Sequence, residues 1–408
     1  MSGTAQLLRQ MLETADRPLA QAVALPGAAF RDPGLYELER RTLLGNEWLA
    51  LAHVSQLPEP GDWVKADLLG EPVMLVRGSD RQVRTLSRVC QHRGMDILAG
   101  AAPGRSKLLR CPYHLWSYEL DGRLRGAPEM RGAPGFDPAC VALPSFRTEV
   151  FEGFVFVTRD GAGTSVAARL APLRERFLAP WRMEEAKVVW EQRWESRYNW
   201  KLLIENFMEP YHHQGSHLRT LEPLLPARAC RTEAADENHC AVRLPLRAEL
   251  QRRVRESGPL PGFRPFPGLT PEDHLAWWVF HGFPTFLLFV AADRFYWYRL
   301  LPTGPETCEL LTTMLVHPEA MQAPDYERWL ASESAGLMEI HGEDILALEG
   351  MQRGVGSRCY AQGRLSPLEE PIWHFQRYLA RRIREATAPR RCSVESGEEL
   401  ARSRPALV

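Results

Sequence analysis

The sequence predicts an α+β protein, with a small all-β domain followed by a larger domain in which an antiparallel sheet is flanked by helices. Three observations predict it. From Trp48 to Thr158, short apolar runs such as EPVMLVRG and EGFVFVTRD are bounded by Gly, Pro and Asp, the pattern of strands joined by turns. Beyond residue 185, stretches of helical period alternate with apolar, aromatic runs of strand character, which calls for helices packed on a sheet. Finally, 408 residues exceed the size of one small domain.

The elements follow in order. Residues 1–44 read as amphipathic helix, interrupted by a Pro/Gly-containing stretch from Pro26 to Gly34, and are expected to pack on the larger domain. Residues 45–160 form the small β domain, with turn signals in LPEPGDW and ELDGRLRGAP. The larger domain spans 161–390 and opens with an Ala- and Arg-rich connecting or helical stretch to residue 185. Its helices are expected in ESRYNWKLLIENFMEPYHH, DYERWLASESAGLMEIHGEDILALEGMQRG and EPIWHFQRYLARRIREAT. Its strands are expected in HLAWWVFHGFPTFLLFV, DRFYWYRLLP and CELLTTMLVHP. Residues 391–408 are polar and expected to be a mobile tail. No internal repeat is present.

Composition narrows the function. Hydrophobic content of 45% and charged content of 25% are ordinary for a globular chain. A net charge of −1 lacks the basic excess of a nucleic-acid binder, so no nucleic-acid partner is expected. No apolar run reaches the roughly 18 residues of a membrane span, so no membrane partner is expected either. The N-terminus has no signal-peptide apolar core, so no secretory signal is expected. Eight cysteines are too sparse for a disulfide framework. A cytoplasmic, reducing location is expected, where closely spaced Cys and His mean metal more often than disulfide.

Two constellations carry chemistry. The first lies in the small domain, where CQHRG and CPYHLW place Cys90, His92, Cys111 and His114 in two tight loops. Eighteen residues separate His92 from Cys111. Tetrahedral zinc takes four such ligands on one ion. A Rieske [2Fe–2S] cluster takes both Cys on one iron and both His on the other. Zinc fingers pair like with like, whereas each loop here mixes one Cys with one His, and that order favours the cluster. VCQHRGMDILAG followed by LLRCPYHLWSYELDGRL resembles the Rieske signature of the Rieske non-haem iron oxygenases. Arg93, Gly94, Pro112, Tyr113 and Trp116 match it. Gln91 departs where a basic residue or proline is common, and Leu115 where glycine is frequent. The resemblance covers essentially the whole chain, with the remainder similar to the family's helix-grip catalytic domain.

The second constellation is ENFMEPYHHQGSH, residues 205–217. A non-haem iron oxygenase needs two His and one carboxylate on one face of the metal. Regular helix geometry pairs His213 with His217. The family pattern instead falls on Asn206, Glu209, Tyr211, His212 and His217. Pro210 and Gly215 argue against a regular helix here, and an i, i+5 pair can converge where a helix is locally wound wide. The resemblance therefore implies His212 and His217 as iron ligands, with His213 a packed neighbour. It implies Asp344 as the third ligand, within IHGEDILALEGMQRGVGSRCYAQGRLSP, with Glu343 the adjacent acid that could be mistaken for it. It also implies a catalytic set of Glu209, Asn206 and Tyr211. Glu209 is expected to join His212 to the partner subunit's His114 in a homotrimer.

The implied function is the terminal oxygenase (alpha) subunit of a multicomponent system. Dioxygen and a small-molecule substrate meet at a mononuclear Fe(II). Electrons come from NAD(P)H through a separate reductase, in some systems with a ferredoxin, and enter at the [2Fe–2S] cluster. No G-x-G-x-x-G motif is present, so the nicotinamide site belongs to another polypeptide. Glutamate rather than aspartate at 209 resembles the branch acting on glycine betaine, stachydrine, choline and carnitine, which implies N-demethylation of a quaternary or N-methylated amine. Aromatic-ring dihydroxylation to cis-diols and a Rieske electron-transfer role are the alternatives. Trp277, Trp278, Phe280, Phe286, Phe289, Tyr296, Trp297 and Tyr298 offer faces for an ammonium group, an apolar wall for an arene, or a core.

Overall fold

The structure, a computed structural model, describes residues 3–161 and 163–388; the expected tail at 391–408 lies outside the described residues. α1 (Gly3–Ala15) buries Leu7, Met11, Thr14 and Ala15 along one stripe, the i, i+4 pattern of a surface helix. α2 (Pro33–Leu38) starts where Asp32 accepts the Leu35 N–H at 2.7 Å and Pro33 takes the first helical position.

The small domain holds ten strands. They are β1 (Leu49–His53), β2 (Asp62–Leu68), β3 (Glu71–Arg77), β4 (Val83–Ser87), β5 (Gly104–Arg105), β6 (Leu109–Arg110), β7 (Ser117–Tyr118), β8 (Leu124–Gly126), β9 (Ser145–Phe151) and β10 (Phe154–Thr158). Seven of them form one antiparallel sheet in the order β1-β10-β9-β4-β3-β2-β5, while β6-β7-β8 form a separate three-stranded sheet. The space between is filled by Trp63, Met74, Leu86, Trp116 and Tyr118, together with Cys90 and Cys111.

The larger domain begins with α3 (Val166–Leu173), β11 (Lys187–Ser196), α4 (Trp200–Met208), β12 (Arg231–Ala235), β13 (His239–Pro245) and α5 (Ala248–Ser257). It continues with β14 (Ala276–Gly282), β15 (Phe286–Val290), β16 (Phe295–Gly304), β17 (Thr307–Val316), α6 (Tyr326–Val355) and α7 (Glu370–Thr387). Its antiparallel sheet runs β11-β17-β16-β15-β14-β13-β12. Both faces are covered, which explains why these strands are apolar nearly throughout. Phe280, Phe286 and Trp297 pack toward α3 and toward Phe154 and Phe156 of the small domain. Phe289, Tyr296 and Tyr298 point to the opposite face, with α4, α6 and α7. This is the period-2 alternation of a strand.

One helical expectation needs correction. Within ESRYNWKLLIENFMEPYHH only Trp200–Met208 is helical; Glu195 and Ser196 complete β11. The helix starts late because the Asn199 side chain accepts the Lys201 N–H at 2.9 Å as an N-cap. It stops early because of Pro210, as shown next. α7 and α6 match their expected spans closely.

Candidate metal centres

His212, His217 and Asp344 converge from two elements that α4 and the sheet hold together. Asp344 sits on the buried stripe of α6 with Leu337, His341, Leu348 and Gln352. Its Oδ1 lies 3.0 Å from His217 Nε2 and 3.7 Å from His212 Nε2. The three ligand atoms lie within 4.8 Å of one another. Both Nδ1 atoms are held from behind, His212 by Glu209 Oε1 at 2.8 Å and His217 by Glu343 Oε2 at 2.7 Å. Glu343 Oε2 also accepts the Thr220 hydroxyl at 2.6 Å. A ring that donates from Nδ1 presents a lone pair at Nε2, so both imidazoles aim acceptors at one point beside a carboxylate. Burial alone would raise the Asp344 carboxyl, but His217 and His212 hold it below its usual value. Two imidazoles and one carboxylate on one face suit a non-haem iron and leave its other positions open.

The backbone that brings His212 and His217 together differs from the expected widened helix. Pro210 disfavours helical geometry at the residue before it, and Glu209 is extended at φ −108°, ψ 136°. α4 therefore ends at Met208. Glu209 then folds over the next turn, where Oε2 accepts the His212 backbone N–H at 3.1 Å. Residues Tyr211–Gln214 form a tight 3₁₀ turn, and Ser216 N–H closes onto His212 O at 2.8 Å. The chain winds wide only after the second ligand, where Glu222 N–H reaches His217 O at 3.0 Å. His213 is buried and hydrogen-bonded through Nδ1 to Leu225 O at 3.1 Å, and burial lowers its pKa to about 3. It is a neutral neighbour.

The second group of candidates sits on two loops of the same construction. Cys90 N–H bonds Met95 O and Gly94 N–H bonds Cys90 O; Cys111 N–H bonds Trp116 O and Leu115 N–H bonds Cys111 O. Gly94 and Leu115 occupy equivalent left-handed positions at φ +76° and +63°. The loop thus demands the glycine that Leu115 replaces, at a cost of about 1 kcal/mol. Cys90 and Cys111 are buried, free thiols, and burial followed by proximity to Cys90 raises the Cys111 thiol. The His92 and His114 rings meet at 4.6 Å, and His92 stacks on Trp116 at 4.8 Å. His92 Nδ1 is buried without a hydrogen-bond partner among the described residues. Thiol beside thiol and imidazole beside imidazole fits the donor set of a cluster with two Cys on one iron and two His on the other. Tyr118 Oη accepts the Gln91 N–H at 3.0 Å and lies within hydrogen-bond reach of Cys90 Sγ at 3.2 Å.

The remaining predicted residues fall in different places. Asn206 is buried on the last turn of α4, and Tyr211 is exposed. Among the eight aromatics, Trp277 alone lines the cavity beside the triad, and Phe280, Phe286 and Trp297 belong to the core between domains. Sequence reading missed Thr220, Tyr118 and His341. His341 is buried against Trp194 at 4.4 Å, one turn before Asp344, with neither ring nitrogen bonded among the described residues. Its i, i+3 spacing from Asp344 was the available signal.

The cavity has a volume of about 370 Å³ and runs along α6 from Thr220 and Ile340 to Arg294 and Glu333. Ile340 stands one turn before Asp344 on α6, and Thr220 in the lining bonds Glu343, so the cavity lies beside the triad.

A β domain with paired Cys and His loops, joined to a helix-covered sheet with a His, His, Asp face, defines a Rieske oxygenase. Residues 47–147 match the Rieske [2Fe-2S] domain, and residues 183–385 match the catalytic domain of the ring hydroxylating alpha subunit. The chain belongs to the Rieske oxygenase alpha subunits, which carry a [2Fe–2S] cluster and a mononuclear iron. Over 366 residues it is 29% identical to the glycine betaine monooxygenase oxygenase subunit of Chromohalobacter salexigens, covering 83% of this chain and 81% of the relative. Over 198 residues it is 32% identical to the carnitine monooxygenase oxygenase subunit of Escherichia coli K12, covering 48% of this chain and 53% of the relative. In fold it is similar to a quaternary ammonium Rieske monooxygenase solved with an inhibitor, at TM-score 0.78 and 22% identity, covering 91% of this chain and 98% of the other. No helix among the described residues is long and apolar enough to cross a membrane.

Proposed function

We propose that this chain is the oxygenase subunit of a cytoplasmic, homotrimeric system that N-demethylates a quaternary or N-methylated amine. A separate NAD(P)H-dependent reductase, directly or through a ferredoxin, supplies its electrons. Cys90, His92, Cys111 and His114 would hold the cluster, and His212, His217 and Asp344 the iron. The observation that carries the reading is the joint presence of the two donor sets, the iron set back-bonded by Glu209 and Glu343 and the cluster set drawn together pair by pair. The likeness to a glycine betaine monooxygenase subunit, over 83% of this chain, supports the substrate class over arenes.

When bound, the metals pass electrons one at a time and activate dioxygen for insertion into a C–H bond. The overall change consumes one C–H bond, dioxygen, two electrons and two protons, and yields one C–OH bond and water. On an N-methyl carbon, the hydroxymethyl product breaks its C–N bond to release formaldehyde and the demethylated amine, with a proton lost as well when the substrate is a quaternary ammonium. The protein's part is orientation. Glu209 and Glu343 fix the two imidazole planes and their tautomers, and the cavity beside Ile340, whose wall is mostly apolar, would admit the substrate. Glu209 is the residue we assign to the junction with the partner subunit's His114. Exposed apolar groups at both centres, Tyr113 and Leu115 on the cluster loop and Tyr211 and Leu218 beside the iron turn, support such a subunit contact.

The test is product analysis with a surrogate reductase. Formaldehyde in step with oxygen uptake is expected from N-methylated amines. Cis-diols from arenes, without formaldehyde from any such amine, would overturn the substrate class.

A further inference from the structure

The charged side chains lining the cavity beside the triad are Asp293, Arg294 and Glu333. Arg294 is buried, and its nitrogens reach Tyr296 Oη at 2.8 Å, Asp293 Oδ1 at 2.6 Å and Glu333 Oε2 at 2.6 Å. Burial raises the Glu333 carboxyl and Arg294 opposes that shift. With both carboxylates ionised against one guanidinium, the excess is one negative charge. His274, also in the wall, does not offset it, because burial lowers its pKa and leaves it neutral at neutral pH. Most of the remaining wall is apolar, including Leu221, Leu246, Leu260 and Ile340, so solvent screens this charge poorly.

The aromatic route to binding an ammonium is already taken. Trp277 is the aromatic that lines the cavity, and the Arg294 guanidinium lies over its ring at 5.0 Å and over Tyr296 at 5.8 Å. The protein's own cation already lies over one face of each ring. Glu333 stands eleven residues before Asp344 on α6, about 16 Å along the axis, so it does not touch a methyl group at the iron.

We propose that this cavity recognises its substrate's positive charge through the buried acid excess, without an aromatic cage, and that Glu333 is the specificity-determining residue. The inference rests on the reading of the substrate as an N-methylated cation and names how that cation is chosen. Anions are repelled, neutral molecules gain nothing, and permanent cations gain affinity. Across about 16 Å at an effective dielectric near 20, one unit charge changes cation binding by about sixfold.

The test measures equilibrium binding to the oxidised holoenzyme, without reductant, of choline and its neutral carbon isostere 3,3-dimethylbutan-1-ol. Wild type should prefer choline. Glu333→Gln should weaken choline about sixfold and leave the isostere within about twofold, and Asp293→Asn should do the same. Arg294→Gln deepens the acid excess and should tighten choline. This opposite sign separates a field effect from structural support. If all three variants weaken both ligands alike, if choline binds all forms equally, or if wild type shows no preference, the inference is overturned. Failure of the formaldehyde assay with choline preference intact would instead sink the proposed reaction and leave the charge selection standing.

Discussion

Glu343 and Asp344 are adjacent acids on one helix, and they do different things. Asp344 faces the Nε2 atoms of both histidines, while Glu343 holds His217 Nδ1 and takes the Thr220 hydroxyl. Removing an outer partner of a metal-bound histidine costs about 10–100-fold in metal affinity. Glu343→Ala should therefore bind iron 10–100-fold more weakly in chelator competition, whereas Asp344→Ala should lose it; equal losses would show that the two acids share the metal. Glu205 makes a separate prediction. It is buried, its Oε1 is unpartnered among the described residues, and burial pushes its pKa from 4.5 up to about 8, opposed by Lys201. An acid whose folded pKa is raised costs stability as pH rises, beginning above 4.5 and complete above about 8. Thermal unfolding of Glu205→Gln should thus gain on wild type across that window, on the order of 3 kcal/mol at pH 7, where parallel curves would contradict the assignment. At this scale residue type and spacing marked the cluster candidates, while only the family resemblance chose His212 over His213 and Asp344 over Glu343, because each choice depends on which face of a turn looks inward.

The elements that position these residues were legible unevenly. α6 and α7 are long, strongly periodic and capped, and their spans follow from the sequence. The stretch from Glu195 to His217 mixes helical period with strand and turn because its boundaries are set by single residues: the Asn199 cap at one end and Pro210 at the other. Pro210 keeps Glu209 extended, which lets one carboxylate reach both the backbone and the ring of His212. Pro210→Ala frees Glu209 to continue the helix. It should lower iron affinity by up to about tenfold and leave the cluster spectrum unchanged. Unchanged iron affinity would mean that packing around the turn, rather than proline, sets its shape. The two cluster loops were legible because they repeat one construction, and Leu115 stood out in sequence for the reason the backbone shows, a left-handed position that favours glycine.

Across the whole molecule, the large sheet is the common support. Its helical face carries α4 and α6, and thus the iron candidates; its other face packs on β1 and β10 of the cluster domain. Class and domain order were readable from periodicity, but the apolar strands hid which aromatic faced which layer, since a sheet buried on both sides has no polar alternation to reveal it. The account requires two separate metal centres on one chain. Iron analysis of the purified protein beside His217→Ala tests this most directly. Wild type should carry about three irons per chain, and the variant about two with an unchanged cluster spectrum. About two irons in both proteins, or zinc in place of the cluster, would contradict it.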